Sequence, residues 1–217
     1  MKFIYYVAWL LFRLIFAGYF RRRVFNVERV PLSGPLILAA NHASFMDPPL
    51  IGSAIDREIN YLARDTLFRF PLVGPILRSV HVVPVDREGG GGAGLKAILE
   101  RLLAGGAIIL FPEGTRTRDG RLQHARSGIG LTVVKSTAPV VPVRLFGTYE
   151  AYRRQHRFPR PFRVIVKFGQ PLDFVTLRAE AKSCSKARLK EIYRQIADEI
   201  MAAIAKLEPH EDKTAFP

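Results

Sequence analysis

Cysteine is almost missing from this chain of 217 residues: Cys184 stands alone, so no disulfide can form within it. Histidine is scarce too. Four of the five, His81, His124, His156 and His210, stand at no ligand spacing, and with a single cysteine beside them no metal centre is expected. Acidic residues are outnumbered, 19 against 33 lysines and arginines, for a net charge of +14. Such a surface suits anionic partners: nucleic acid, phospholipid headgroups or phosphorylated substrates. There is no internal repeat and no long linker. Hydrophobic residues make up 48% and charged residues 24%, which excludes a disordered chain. The length suits one domain with a substantial core, or at most two very small ones.

An uninterrupted apolar run of membrane-spanning length is also missing. The longest apolar stretch, "FIYYVAWLLFRLIFAGYF" (Phe3–Phe20), is broken by Arg13 and followed at once by Arg21, Arg22 and Arg23. As a helix it would reach about 27 Å, slightly short of the roughly 30 Å hydrocarbon core. Arg13 at the centre of a span would cost roughly 2.5–3.5 kcal/mol. The sequence therefore predicts a membrane-associating helix that lies in the interface, aromatics down and arginines up, or inserts in part. A buried core helix is the plainer alternative, but few are apolar all round and close on three arginines. No small-residue cleavage site follows, so a removable signal peptide is not expected, and the arginines would keep the remainder on the cytoplasmic side. A second basic stretch, "YRRQHRFPRPFRVIVK" (Tyr152–Lys167), interleaves arginines with aromatics. On charge alone it fits a membrane surface or RNA equally well.

What the chain does have is alternation. Short, continuously apolar runs at Pro35–Asn41, Ile59–Arg64, His81–Val85, Ala107–Phe111, Pro139–Phe146 and Arg163–Phe168 read as strands covered on both faces. Helical patterns fall at Pro48–Ile55, Pro71–Ser79, Leu95–Leu103, Ile129–Ser136 and Lys186–Lys206. This order predicts an α/β fold with a mostly parallel central sheet flanked by helices. Pro84 and Pro142 inside strands predict edge positions, bulges or irregular strand ends. The expected organisation is a membrane-anchoring helix with its basic flank over residues 1–30, the main domain over 31–207 and a loose tail over 208–217.

Two strand exits carry chemistry. In "NHASFMDPP" (Asn41–Pro49), His42 and Asp47 are five apart, which on a continuous helix would set them about 140° apart. Pro48 disfavours helix at Asp47, and Pro48–Pro49 suit a helix start, so the stretch predicts a strand–turn–helix corner that folds Asp47 back onto the His42 ring. A carboxylate on Nδ1–H would leave Nε2 free to take a proton from a hydroxyl. Alternatively, Asp47 only caps the helix and His42 is a satisfied loop residue. Ser44 lacks a nucleophile elbow and reads as a turn former. In "FPEGTRTRDG" (Phe111–Gly120), Gly114 permits a tight turn and Glu113, Thr115 and Arg116 project polar groups at a strand exit, with Arg118 behind. An arginine fork beside backbone amides matches a phosphate. "VPVDR" brings Arg87 to a third strand exit, and "RSGIG" adds Arg126.

Taken in order, "NHASFMD", "VDR", "FPEGTRT" and "PVVPV", with "LFRFPLVGPIL" and "FGQPLD" around them, resemble the blocks of the glycerolipid acyltransferases. The closest likeness is to the 1-acylglycerol-3-phosphate acyltransferases, from about Leu36 to Asp173. The resemblance implies a glycerol-3-phosphate acyltransferase-like fold and a membrane-associated enzyme on the cytoplasmic face of the cell membrane. It implies that His42 is the general base, oriented by Asp47, for direct attack of an acceptor hydroxyl on the thioester of acyl-CoA or acyl carrier protein. Arg87, Glu113, Gly114, Thr115, Arg116 and Arg126 would bind the glycerol phosphate of lysophosphatidic acid, and the product would be phosphatidic acid for phospholipid biosynthesis. Pro142 would belong to the fourth block. No cofactor, metal or nucleic acid is implied. Where family members commonly carry Phe-Lys-x-Gly, this chain has "ARSG", which keeps the charge but changes its geometry.

Other readings stay in view. The acceptor could be another lysolipid, a lysophospholipid or lyso-aminolipid. "GGGGAG" (Gly89–Gly94) formally satisfies a dinucleotide-binding pattern, but Asp86-Arg87-Glu88 separates it from the strand, where the turn should be immediate. A non-catalytic basic adaptor on membranes or RNA would need no base at all.

Overall fold

The computed structural model describes residues 2–85 and 92–212. In chain order the elements are α1 (Lys2–Gly18), β1 (Arg23–Phe25), β2 (Leu36–Ala40), α2 (Asp47–Gly52), β3 (Ile59–Arg64), α3 (Val73–Ser79) and β4 (Val82–Val85). There follow α4 (Gly92–Leu103), β5 (Ala107–Leu110), α5 (Gly128–Lys135), β6 (Val140–Phe146), α6 (Thr148–Tyr152), β7 (Ile165–Phe168), α7 (Val175–Glu180) and α8 (Lys186–Ala205). The strands form one seven-stranded sheet in the order β1-β7-β6-β2-β5-β3-β4. Every neighbouring pair is parallel except β6 with β7. The expected α/β architecture with a mostly parallel sheet is therefore present.

Both sheet faces are covered, which is why the strands read as continuous apolar runs. On β2, Leu36, Leu38 and Ala40 pack into one core with Phe16 of α1, Phe20 just after it, Leu50 and Ile51 of α2, and Ala151 of α6. Ile37 and Ala39 face the opposite core with Ile98 of α4, Ile129 and Val133 of α5, and Ile192, Ile196, Ile200 and Ile204 of α8. The i, i+4 recurrence on α8 makes its buried stripe. Ser185 starts that helix, its Oγ accepting the Arg188 N–H at 3.2 Å, a cap worth about 1 kcal/mol.

The two strand prolines sit differently. β4 is an edge strand, so Pro84 lacks a donor where none is required. β6 is central, and Pro142 survives there because β7 ends at Phe168: the chain leaves at Gly169, whose N–H donates to the Pro142 carbonyl at 2.8 Å.

Residues 2–30 pack against the main domain. β1 pairs with β7, and α1 lies along the body. Tyr5, Phe16 and Phe20 are buried, Trp9 Nε1–H donates to the Ile55 carbonyl at 3.0 Å, and Arg13 meets Asp56 at 2.6 Å. The outward face keeps Phe3, Tyr6, Leu10, Leu11 and Leu14 exposed. Among the described residues no helix is long and apolar enough to cross a membrane. The tail is not loose as far as Asp212, which pairs with Arg29 at 2.5 Å and with the buried Lys167 at 2.6 Å. Lys167 reaches that partner because the apolar run of β7 carries it inward, and an unpaired ammonium there would be costly.

Candidate active site

β2, β5 and β6 are adjacent and parallel, so their C-terminal ends rise along one edge, where ligands of open α/β sheets bind. Asn41 fastens the first exit: its Nδ2 donates to the Leu145 carbonyl at 3.1 Å and its Oδ1 accepts the Leu145 N–H at 2.7 Å. The next five residues turn sharply into α2. Asp47 is the first helical residue, and it is fully buried. It caps nothing in the helix. Its Oδ2 lies 2.8 Å from His42 Nδ1 and accepts the Ala43 and Ser44 N–H groups at 2.6 and 2.7 Å. A carboxylate oxygen so placed draws the ring proton to Nδ1 and leaves the Nε2 lone pair outward. Ser44 is a turn former: its Oγ–H donates to the Tyr152 carbonyl at 2.7 Å and its Oγ accepts the Met46 N–H at 3.1 Å.

The β5 exit meets this corner directly. The His42 ring stacks on Phe111 at 3.9 Å and 15°. The Thr117 N–H donates to the His42 carbonyl at 2.8 Å, clamping one turn onto the other. Gly114 has φ +69°, and a Cβ there would come within 2.8 Å of Arg126 Cδ, so only glycine lets that arginine cross the turn. Glu113 is buried. Burial raises its pKa from the ordinary carboxyl range to about 7, opposed in part by backbone N–H groups of Gln123 and His42 and reinforced by the Asp47 charge.

A cleft of about 880 Å³ opens here, lined by His42, Phe111, Gly114, Thr115, Arg126 and, from β3, Arg64. The expected acceptor arginine, Arg116, is not among its lining residues. Its guanidinium carbon lies 3.4 Å from the ring centre of the exposed Phe45. Its Nη1 is buried with no partner among the described residues, and burial, with Arg154 nearby, lowers its pKa. The structure thus brings His42, Asp47, Glu113, Gly114, Thr115 and Arg126 together and sets Arg116 on the Phe45 flank of the same turn. Arg87 lies outside the described residues, as does the first half of the Gly89–Gly94 run; Gly92–Gly94 form the first turn of α4. Phe111 and Asn41, which hold the His42 corner, and Phe45, which lies against Arg116, have no role assigned by the sequence, although each lies within a block that does.

A second, smaller cavity of about 270 Å³ adjoins the cleft. Its lining is almost wholly apolar, from Tyr5, Trp9 and Phe12 of α1 to Leu77 and Val80 at the end of α3. Pro48, Tyr61 and Leu62 line both spaces. Among the described residues no cluster of histidine, cysteine and carboxylate side chains could hold a metal ion.

A family model described as Acyltransferase matches residues 21–145. A chloroplastic 1-acyl-sn-glycerol-3-phosphate acyltransferase of Brassica napus is 29% identical over 150 residues, covering 68% of this chain and 43% of its own. The 1-acyl-sn-glycerol-3-phosphate acyltransferase of Bacillus subtilis is 30% identical over 126 residues, covering 58% of this chain and 62% of its own. The chain therefore spans less than two thirds of either relative. The crystal structure of the 1-acyl-sn-glycerophosphate acyltransferase PlsC from Thermotoga maritima superposes with a TM-score of 0.68 at 26% identity, covering 95% of this chain and 80% of that one.

Proposed function

Because this chain belongs to the acyltransferase family, we propose that it moves a fatty acyl group from a thioester to the free hydroxyl of 1-acylglycerol-3-phosphate, yielding phosphatidic acid for phospholipid biosynthesis. The observation that carries the reading is the His42–Asp47 contact of 2.8 Å at the wall of a cleft whose other wall is the β5 exit.

His42 Nε2 takes the proton of the acceptor hydroxyl as its oxygen attacks the thioester carbonyl carbon. Asp47 holds the ring and stabilises the imidazolium. The tetrahedral intermediate then collapses, the carbon–sulfur bond breaks, and the leaving sulfur takes the proton back from His42. One ester and one thiol result. The donor is acyl-CoA or acyl carrier protein; its thioester is already activated, so the protein supplies proton transfer and positioning. Arg116, aided by Glu113, Gly114, Thr115, Arg126 and Arg87, binds the acceptor's glycerol phosphate. The apolar cavity behind Tyr61 takes hydrocarbon, which water would reject. α1 lies in the interface on the cytoplasmic face of the cell membrane, its exposed apolar side in lipid, so that acceptor and product need not leave the bilayer.

One observation supports a second acceptor class. Arg116 lies on the Phe45 flank rather than in the cleft, as an acceptor without a phosphomonoester would allow. The test is purified protein with oleoyl-CoA and a panel of lysolipids, following free thiol and product lipid. Thiol release coupled to phosphatidic acid, with an acceptor KM raised tenfold or more, roughly one lost charge-assisted contact, in Arg116→Ala, supports the phosphate assignment. Preference for a lysophospholipid or lyso-aminolipid, with KM unchanged in that variant, supports the second class. No coupled thiol release with any acceptor rejects both.

A further inference from the structure

We propose that the loop over residues 153–163 is a second lipid-contact site that recognises anionic phospholipid headgroups, next to the neutral, aromatic face of α1. The loop leaves α6 at Tyr152 and enters β7 after Val164, and it contains no acidic residue. Arg154, Arg157, Arg160 and Arg163 are all exposed, and among the described residues none of them forms an ion pair. Phe158 and Phe162 stand out between them at 69% and 46% exposure, the first with Arg157 at 5.5 Å from its ring. Guanidinium groups interleaved with aromatic rings suit the headgroup layer, where phosphates meet the first methylenes.

The loop is fixed to the two residues that follow α1. Tyr19 Oη–H donates to the Pro159 carbonyl at 3.2 Å, and the Val164 N–H donates to the Phe20 carbonyl at 3.2 Å. The residue just before it, Tyr152 at the end of α6, is equally tied to the His42–Asp47 turn, since its carbonyl accepts from Ser44 Oγ–H at 2.7 Å. The basic loop is therefore tied on one side to the segment that leaves α1 and on the other to the turn that carries Phe45. A lipid surface fits this arrangement better than RNA, because the same segment leads out of a helix with many exposed apolar side chains that nucleic acid would leave wet. The proposal extends the membrane part of the proposed function and is independent of the chemistry at His42.

Flotation of the 217-residue chain with vesicles tests it, comparing phosphatidylcholine alone with phosphatidylcholine containing phosphatidylglycerol. The wild-type chain is expected to prefer the anionic vesicles, and the preference should fade with salt. The triple variant Arg157→Gln, Arg160→Gln, Arg163→Gln should lose that preference, binding anionic vesicles roughly a hundredfold more weakly at low salt, while its binding to neutral vesicles stays. The matching Arg→Lys triple variant should keep the preference, which separates a charge effect from a folding defect. Both triple variants should retain acyl transfer in neutral detergent micelles if that activity is present, so loss of headgroup recognition and absence of the chemistry are read separately. A Gln variant with unchanged anionic preference overturns the proposal. So does a mixed-sequence single-stranded RNA that displaces wild-type protein from vesicles and is itself bound more weakly by the Gln variant.

Discussion

Asp47 opens α2 yet none of its acceptor bonds serves the helix; one oxygen is shared by the His42 ring and two backbone amides. That arrangement separates two kinds of damage. Asn at this position can keep its carbonyl oxygen on the Ala43 and Ser44 amides but no longer accepts the ring proton with a full charge. Asp47→Asn is therefore expected to lower kcat by about 10²–10⁴-fold, with little change in acceptor KM and the fold intact by circular dichroism. Glu113 gives an independent check through stability. Its pKa in the folded chain is raised to about 7 by burial. Between the ordinary carboxyl pKa and 7 the folded chain holds a proton that the unfolded chain has released, so this group makes stability fall as pH rises through that window. Glu113→Gln should remove that slope in denaturation midpoints measured across the window and leave the variant relatively more stable above pH 7.

The elements show why some of the fold was legible and some was not. Strands β2, β5, β6 and β7 are legible because burial on both faces makes them largely apolar, and α8 because a 20-residue helix repeats its stripe. β1 is three residues long and begins with Arg23, so it has no pattern of its own; it exists because β7 offers it an edge. The short helices α6 and α7 are likewise set by neighbours rather than by propensity. At the site, the His42–Asp47 corner was readable because Pro48 dictates a turn there. The side from which Arg116 leaves its turn was not, because that depends on where Phe45 packs. Close packing between elements also carries a prediction. α5 crosses α8 at Gly130, where a Cβ would meet the Tyr193 carbonyl oxygen at 2.0 Å. Gly130→Ala should cost about 1–3 kcal/mol, lowering Tm by several degrees in a thermal scan.

Across the whole molecule, one edge of the sheet gathers the His42–Asp47 pair, the arginines Arg64 and Arg126 and an apolar cavity, and α1 lies against that cavity with its other side exposed. The two strand exits are clamped to each other by the Thr117–His42 bond of 2.8 Å and by the Phe111 ring, so they face a common cleft. A basic adaptor would keep its membrane binding whatever stood at position 42; an acyltransferase would not keep its chemistry. The decisive measurement is the rate of oleoyl transfer from oleoyl-CoA to 1-acylglycerol-3-phosphate by His42→Ala beside the wild-type chain, with vesicle binding of both in parallel. The account predicts a rate lowered by about 10²-fold or more with binding unchanged; transfer at the wild-type rate would contradict it.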